Sequence, residues 1–263
     1  MRTLLIPPLL LLLGAAGAYA GPNEGVHLHV HGNVTGTTIT DDPCGQIPLP
    51  DPYDPSSCHA LIPFAQPDEN GIEWFLVVVT SRDDVDPNFN TVVFGIGEYS
   101  LADFEIVAFG PCHSEFNPLQ VSSEDWPLEN SGIAVTWAPN CLGGFAQPVY
   151  YLGVSSHATG RIPLGDFYPG QNAEVVSCTQ EEDYFEAFGA MGCGGDSGFN
   201  PECPAPPQMG SCCIGVDCFL MYEEDCWDAG GDFIGYYPCD PNQCPLPDPT
   251  EAFTWGKLKA LYR

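Results

Sequence analysis

Apolar positions along this chain come in short runs with the period of strands. Ile133, Val135 and Trp137 alternate with Ala134, Thr136 and Ala138, so one face of an extended segment carries the bulk and points to a core. Segment 26–30 alternates apolar residues with histidine, whereas 74–80 (WFLVVVT) is apolar throughout, as in a central strand buried on both faces. Segments 91–97, 104–109, 149–154, 161–164 and 173–178 complete the set, with Gly, Pro, Asn or Asp at their boundaries. Spacing of this kind predicts an all-β fold, an antiparallel β-sandwich, with Trp74, Phe94, Trp137 and Tyr151 as core anchors. Helix is predicted only at 181–190 (EEDYFEAFGA), for one or two turns.

Composition supports short strands joined by tight turns: the 263 residues include 29 glycines and 27 prolines, too many for long helices. The first 20 residues read as a signal peptide, with Arg2 at the positive end, an apolar run at 4–13 and Ala18-Tyr19-Ala20 as the cleavage site. Pro7 and Pro8 interrupt that run, and a membrane-crossing helix needs about 20 uninterrupted apolar residues. No later stretch approaches that length, so the reading is a secreted or cell-surface chain beginning at Gly21, with no transmembrane segment after signal cleavage. Past Gly189 glycines and then prolines cluster and apolar runs stop. The expected organisation is a sandwich domain at 21–192, a Gly/Pro-rich linker at 193–209, a cysteine-rich disulfide module at 210–245 and a C-terminal tail at 246–263.

Charge narrows the partners. The formal net charge is −29, and once Arg2 is removed only Arg82, Arg161, Lys257, Lys259 and Arg263 are basic. Such a surface repels phosphate backbones and anionic headgroups, which excludes nucleic acid as a partner. It also attracts divalent cations.

Thirteen cysteines, all beyond the signal segment, indicate disulfides formed outside a reducing cytoplasm. Six of them, Cys212, Cys213, Cys218, Cys226, Cys239 and Cys244, fall within 33 residues. Their gaps lack the paired C-x2-4-C spacing of a zinc ribbon, so three disulfides are expected in place of a metal site. Neighbouring Cα atoms are about 3.8 Å apart, short of the 4.4–6.8 Å that disulfides prefer, so Cys212 and Cys213 should take different partners. Fifteen connectivities remain open. Upstream, Cys44 with Cys58 would close a proline-rich loop, Cys112 with Cys141 would join two β loops, and Cys178, Cys193 and Cys203 would compete for one bond.

Three constellations could carry chemistry. On a strand, His27, His29 and His31 project from one face at intervals of about 6.6 Å, and alternate imidazoles can share a zinc or similar ion. Core packing of Val26, Leu28 and Val30 explains the same alternation, with the histidines on the solvent face of an edge strand. Cys193-Gly-Gly-Asp196-Ser197-Gly198 resembles the nucleophile loop of chymotrypsin-type serine proteases, which implies Ser197 as nucleophile with His59 and Asp103 upstream. The pattern departs from that family at Phe199-Asn200 and in the order Cys58-His59, and a glycine-rich linker accounts for the same residues. Asp83, Asp84, Asp86, Asn88 and Asn90 offer oxygen ligands suited to calcium, yet an EF-hand would need glycine where Phe89 stands; an Asp/Asn-rich turn explains them as well. Asn33-Val34-Thr35 is a glycosylation sequon by pattern.

The segments FGIGEY (94–99), IVAFGPC (106–112), WPLENSGIAVTW (126–137) and PVYYLGV (148–154), in this order, resemble an uncharacterised family of exported bacterial β-rich proteins. The cysteine-rich stretch is similar to a small module near the ends of such proteins, with G-x-C-C, a Gly230-Gly231 pair and a closing C-x-P-N-x-C at Cys239 to Cys244. The tail FTWGKLKALYR resembles a short basic terminal signature of exported proteins, which implies a sorting or attachment role. The resemblance implies no catalytic residues and no cofactor. Two functions remain: a non-catalytic secreted or cell-surface protein that binds an extracellular protein or glycan, and a secreted serine hydrolase using Ser197.

Overall fold

The computed structural model describes residues 21–168, 170–206, 208–240 and Cys244; residues 1–20, read above as a signal peptide, and the tail 246–263 lie outside the described residues. The chain forms two compact units that divide between Ala205 and Pro206.

In the first unit the strands are β1 (His27–Gly32), β2 (Ile72–Thr80), β3 (Asn88–Phe89), β4 (Thr91–Ile96), β5 (Phe104–Pro111), β6 (Leu119–Ser122) and β7 (Ser131–Thr136). They continue with β8 (Leu142–Gly143), β9 (Ala146–Ser156), β10 (Gly160–Gly165), β11 (Glu174–Val176), β12 (Glu182–Tyr184), β13 (Ala187–Phe188) and β14 (Ala190–Cys193). One sheet has five strands in the order β13-β1-β2-β9-β5, antiparallel except for β13 with β1. In the other, β6 pairs with β7 and β7 with β4; the far edge of β4 is shared by β11 at Thr91 to Val93 and by β10 at Gly95 and Ile96. β12 lies beyond β11, and β14 beyond β10.

Alternation explains the core between the sheets. Phe75, Val77 and Val79 of β2 face Val92, Phe94 and Ile96 of β4 and Ile133 and Val135 of β7, all at most 2% exposed. The other face of β2, with Trp74, Leu76 and Val78, builds a second core with Ile39, Ile47, Leu61 and Ala146, so the uninterrupted run at 74–80 is buried on both sides. The cover is the excursion between β1 and β2, which includes the short helix α1 (Pro43–Gln46) and a 3-10 turn at Pro55–Ala60. Asp42 and Asp54 begin these turns by accepting the backbone N–H of Cys44 and Ser56, and proline at the next position fixes the helical φ.

Several sequence expectations need correction. Tyr150, not Tyr151, is the main-core anchor: Val77 pairs with Tyr150 and Val78 with Pro148, so Val149 is an extra residue that shifts the alternation by one. The segment 181–190 forms β12 and β13 instead of helix, because Asp183 and Phe185 are buried while Glu182 and Tyr184 are exposed, a period of two. Strand β1 is no solvent-facing edge, since β13 flanks it and the excursion covers its outer face. Residues 193–203 are no free linker either. Phe199 exchanges backbone hydrogen bonds with Ala190 (2.7 and 3.0 Å), Asn200 bridges the N–H and carbonyl of Val30 (2.8 and 2.9 Å), and Cys203 is disulfide-bonded.

Disulfide pairing in this unit also departs from expectation. Cys44 joins Cys112, Cys58 joins Cys203 and Cys141 joins Cys178, and Cys193 is free and buried. The proposed Cys44–Cys58 and Cys112–Cys141 bridges assumed local closure, whereas the observed ones tie the excursion down onto the sheet: Cys112 follows β5, and Cys203 follows β14.

In the second unit, β15 (Gly210–Ile214) lies between β16 (Asp217–Met221) and β17 (Asp232–Gly235), with α2 (Glu223–Asp228) connecting the latter two. Successive residues on β15 point to opposite faces, and adjacent Cys212 and Cys213 reach Cys226 and Cys244 respectively; Cys218 bonds Cys239. A loop of about 15 residues closed in this way removes roughly 3 kcal/mol of unfolded-chain entropy, which helps so small a sheet to hold its shape. Peptide mapping without reduction should recover the Cys44–Cys112, Cys58–Cys203 and Cys141–Cys178 linkages; recovery of Cys44–Cys58 would refute this arrangement of the cover.

Candidate functional site

The three histidines of β1 do share one face, the one beneath the cover. His29 is 1% exposed and His31 5%. The N–H of Ile62 donates to His31 Nδ1 at 3.1 Å, so Nε2 carries the proton and donates to the Pro48 carbonyl at 2.9 Å. With both nitrogens committed, His31 has no lone pair for a metal. His27 Nδ1 lies 2.8 Å from the Glu202 carbonyl, and the His29 ring stacks on His27 at 6.1 Å and rests its Nδ1 3.7 Å from the sulfur of Cys58. Among the described residues, no group of three or more His, Cys, Asp or Glu side chains is placed to hold a metal ion. The zinc reading is thereby corrected: these imidazoles pack the second core and its disulfide. Burial, followed by the charges of His27 and His59, pushes the His29 pKa down to about 3; burial also lowers that of His31.

Ser197, His59 and Asp103 form no constellation. Among the described residues the Ser197 hydroxyl reaches only the Gly198 carbonyl at 3.5 Å, His59 Nδ1 lies 3.3 Å from Cys203 Sγ, and the Asp103 carbonyl receives the N–H of His157. Among the described residues no hydrogen bond joins any two of them. Asp196 instead accepts Arg161 Nε at 2.6 Å and the Gly198 N–H at 2.8 Å, which hold its carboxyl below the usual range. The glycines serve close approach, since a Cβ on Gly192 would fall 2.2 Å from the nitrogen of Gly198.

The acidic turn after β2 is likewise committed to structure. Asp84 grips Arg82 with both oxygens (2.8 and 2.7 Å), while Asn88 and Asn23 exchange two 3.0 Å bonds. Asp84 is thus spent on Arg82, and among the described residues no group of three or more His, Cys, Asp or Glu side chains is gathered at this turn to hold a cation. The sequon residue Asn33 is 1% exposed, and its amide donates to the Thr37 carbonyl at 2.9 Å, which denies it to a glycan.

The surface open to a ligand is one that sequence patterns did not single out. Among the described residues of the first unit, nothing covers the outer face of the second sheet as the excursion covers β2. Register aligns two rungs across five strands: Leu119, Thr136, Thr91, Val176 and Glu182 in one, and Val121, Ala134, Val93, Glu174 and Tyr184 in the other. Leu119, Val121 and Tyr184 are 64%, 60% and 53% exposed, and Thr91 and Thr136 join hydroxyls at 2.9 Å between them. At one end the backbone of Asp166 and Phe167 lies across the face, over the paired glycines Gly95 and Gly132, where a Cβ would meet those carbonyls at 1.9 and 1.8 Å. Small residues at β7 and β4 keep the face flat, and the carboxylates on these rungs are Glu174 and Glu182; burial, then Glu182, raises the Glu174 pKa. No lysine or arginine occurs between Arg82 and Arg161, which span β4 to β7. The clue available in sequence was the small-residue side of 133–138, together with the short alternation L-Q-V-S at 119–122.

Neither a protein-family model nor a curated protein matches the chain. Among solved structures, a cohesin module from a family 33 glycoside hydrolase of Clostridium perfringens is similar at TM-score 0.35 and 11% identity, covering 46% of this chain and 82% of that one. A non-cellulosomal cohesin from the archaeon Archaeoglobus fulgidus gives TM-score 0.30 and 8% identity, over 46% of this chain and 80% of that one.

Two outcomes follow from the committed side chains. A neutral buried His29 lets the unfolded chain bind a proton that the folded chain refuses, so its contribution to stability should fall as pH drops from about 6.5 toward 3. The check is the His29 imidazole resonance, which should not titrate between pH 8 and 4; a midpoint near 6 would contradict the burial. A fluorophosphonate probe should leave Ser197 unlabelled in folded protein, and labelling lost in Ser197→Ala would restore the hydrolase reading.

Proposed function

We propose that the chain is a non-catalytic secreted or cell-surface binding protein whose open sheet face receives an extracellular protein partner. The observation that carries the reading is the contrast between two outer faces, one sealed under an excursion held by two disulfides, the other exposing Leu119, Val121 and Tyr184 on a flat ladder. Isolated apolar residues on a surface need no explanation, but aligned ones on an uncovered sheet mark a contact region. Six disulfides suit folding and residence in an oxidising compartment, and among the described residues no helix is long and apolar enough to cross a membrane.

The face is apolar and acidic, so the partner surface is apolar and basic. Burial, and then the neighbouring Glu182, disfavour the charge of Glu174, and a lysine or arginine from the partner would offset both. The three-disulfide module serves as a spacer toward the attachment end, where the basic tail is the sorting element. Glycan is the competing ligand class.

The test places a photo-crosslinking residue at Val121 or Tyr184 in protein expressed in its native envelope, with Tyr53, 70% exposed on the cover, as control. Adducts of one discrete mass above the chain at Val121 and Tyr184, absent at Tyr53 and lost when Leu119→Asp is added, are expected. Adducts equal at all three sites, or none, would sink the proposal. An adduct of two copies of this chain would make the face a self-association surface.

A further inference from the structure

Asp183, in β12, is a carboxylate held out of water at 6% exposure. Its Oδ1 accepts the backbone nitrogen of Gly21 at 2.9 Å and its Oδ2 accepts that of Asn23, also at 2.9 Å. A buried carboxylate is costly unless hydrogen-bonded and balanced by positive charge. Among the described residues, no ion pair includes Asp183: Arg82 pairs with Glu24 and Asp84, and Arg161 with Asp196. Gly21 packs so tightly that a Cβ on it would fall 2.3 Å from Asp183 Oδ2, so only glycine fits there without moving the carboxylate.

Gly21 is also the first residue after the small-residue cleavage motif Ala18-Tyr19-Ala20. Hydrolysis of the Ala20–Gly21 bond by an export peptidase adds one water, leaving a carboxylate on Ala20 and an amine on Gly21 that is protonated at neutral pH. We propose that the α-ammonium created at Gly21 by signal removal is the missing countercharge of Asp183, and that their ion pair is the last clasp of the sandwich.

Geometry gives the clasp leverage. Residues 21–26 lead directly into β1 of the five-stranded sheet, whereas Asp183 belongs to β12, at an edge of the other sheet. Asn23 extends the tie through its paired bonds with Asn88 of β3. Before cleavage the same nitrogen is an uncharged amide that donates one hydrogen bond. Afterwards it is a charged donor, and bonds between charged groups are about twice as strong. The precursor therefore lacks the full clasp until it has crossed the membrane.

Intact-mass analysis of exported protein should show a chain starting at Gly21, and any other start would overturn the proposal. Two full-length mature chains, released from a cleavable fusion in an oxidising compartment, then isolate the charge: one begins at Gly21, the other carries one extra serine before it. The extended chain should unfold at a temperature lower by roughly 2–4 °C or more. In the Asp183→Asn background both chains should unfold at the same, lower temperature. Equal midpoints in the native background, or a difference that survives Asp183→Asn, would refute the ion pair. Should Asp183→Asn fail to fold, an Nα-acetylated Gly21 chain supplies the readout: it must lose the same few degrees, and a midpoint matching the free amine refutes the pair.

Discussion

Strand β2 is apolar on both faces, and the fold is organised by the need to keep water from both. The inner face, Phe75, Val77 and Val79, is met by the second sheet. The outer face, Trp74, Leu76 and Val78, has no third sheet to meet it and is covered instead by the excursion between β1 and β2. That segment is rich in proline and short turns, and it makes no ladder of its own to hold it in place. Two cross-links compensate, from Cys44 to Cys112 and from Cys58 to Cys203. The second spans 145 residues, and in the chain-entropy account a loop that long restricts the unfolded state by about 5 kcal/mol. The disulfides thus do what extra core would do in a larger protein.

The same cover decides the fate of the β1 histidines and leaves the molecule asymmetric. His29 and His31 sit beneath it, neutral, one packed against the Cys58–Cys203 disulfide and the other holding the cover's backbone at Pro48 and Ile62. A polar side chain at such a site is acceptable because its hydrogen bonds are made to the very segment that buries it. Among the described residues of the first unit, the opposite outer face is spared that treatment. There Thr91 and Thr136 satisfy each other across strands, and Val93 and Ala134 pair as small neighbours on the next rung.

Alternation made the strand framework legible in the sequence: 133–137, 91–97 and 74–80 carry their burial in their spelling, because side-chain period is fixed by the backbone. Features set by tertiary contact were not legible. One extra residue at Val149 exchanges the roles of Tyr150 and Tyr151, and no local signal marks it. The helical appearance of 181–190 arises from acidic and aromatic content, whereas its period of two becomes visible only once Asp183 and Phe185 are seen inside. Disulfide partners were misassigned for a related reason: proximity along the chain suggested Cys44 with Cys58, but both lie in the cover and must bond outward to hold it down. The open face escaped notice because a surface is defined by what fails to pack on it.

Thirteen cysteines oblige one to remain single, and its environment explains why the folded chain tolerates it. Cys193 is fully buried at the end of β14; desolvation foremost, and then the Glu73 charge, push its thiol well above the ordinary range, outweighing the opposing influence of the nearby Ser156 side chain. Only the thiolate attacks a disulfide, so a thiol held neutral and out of reach cannot reshuffle the six bridges. Glu73 has a second task, since its carboxylate receives the N–H of Gly194, at 3.0 and 3.1 Å from its two oxygens, and the Ser156 hydroxyl. Gly194 has φ +61, a conformation that other residues adopt only with strain, and a Cβ there would lie 2.0 Å from the Ala158 carbonyl. The C-G-G-D-S-G motif is therefore spelled by a turn that passes over a buried carboxylate while shielding a thiol: close approach calls for Gly194 and Gly198, a positive φ of +89 for Gly195, and none of this requires a reaction at Ser197.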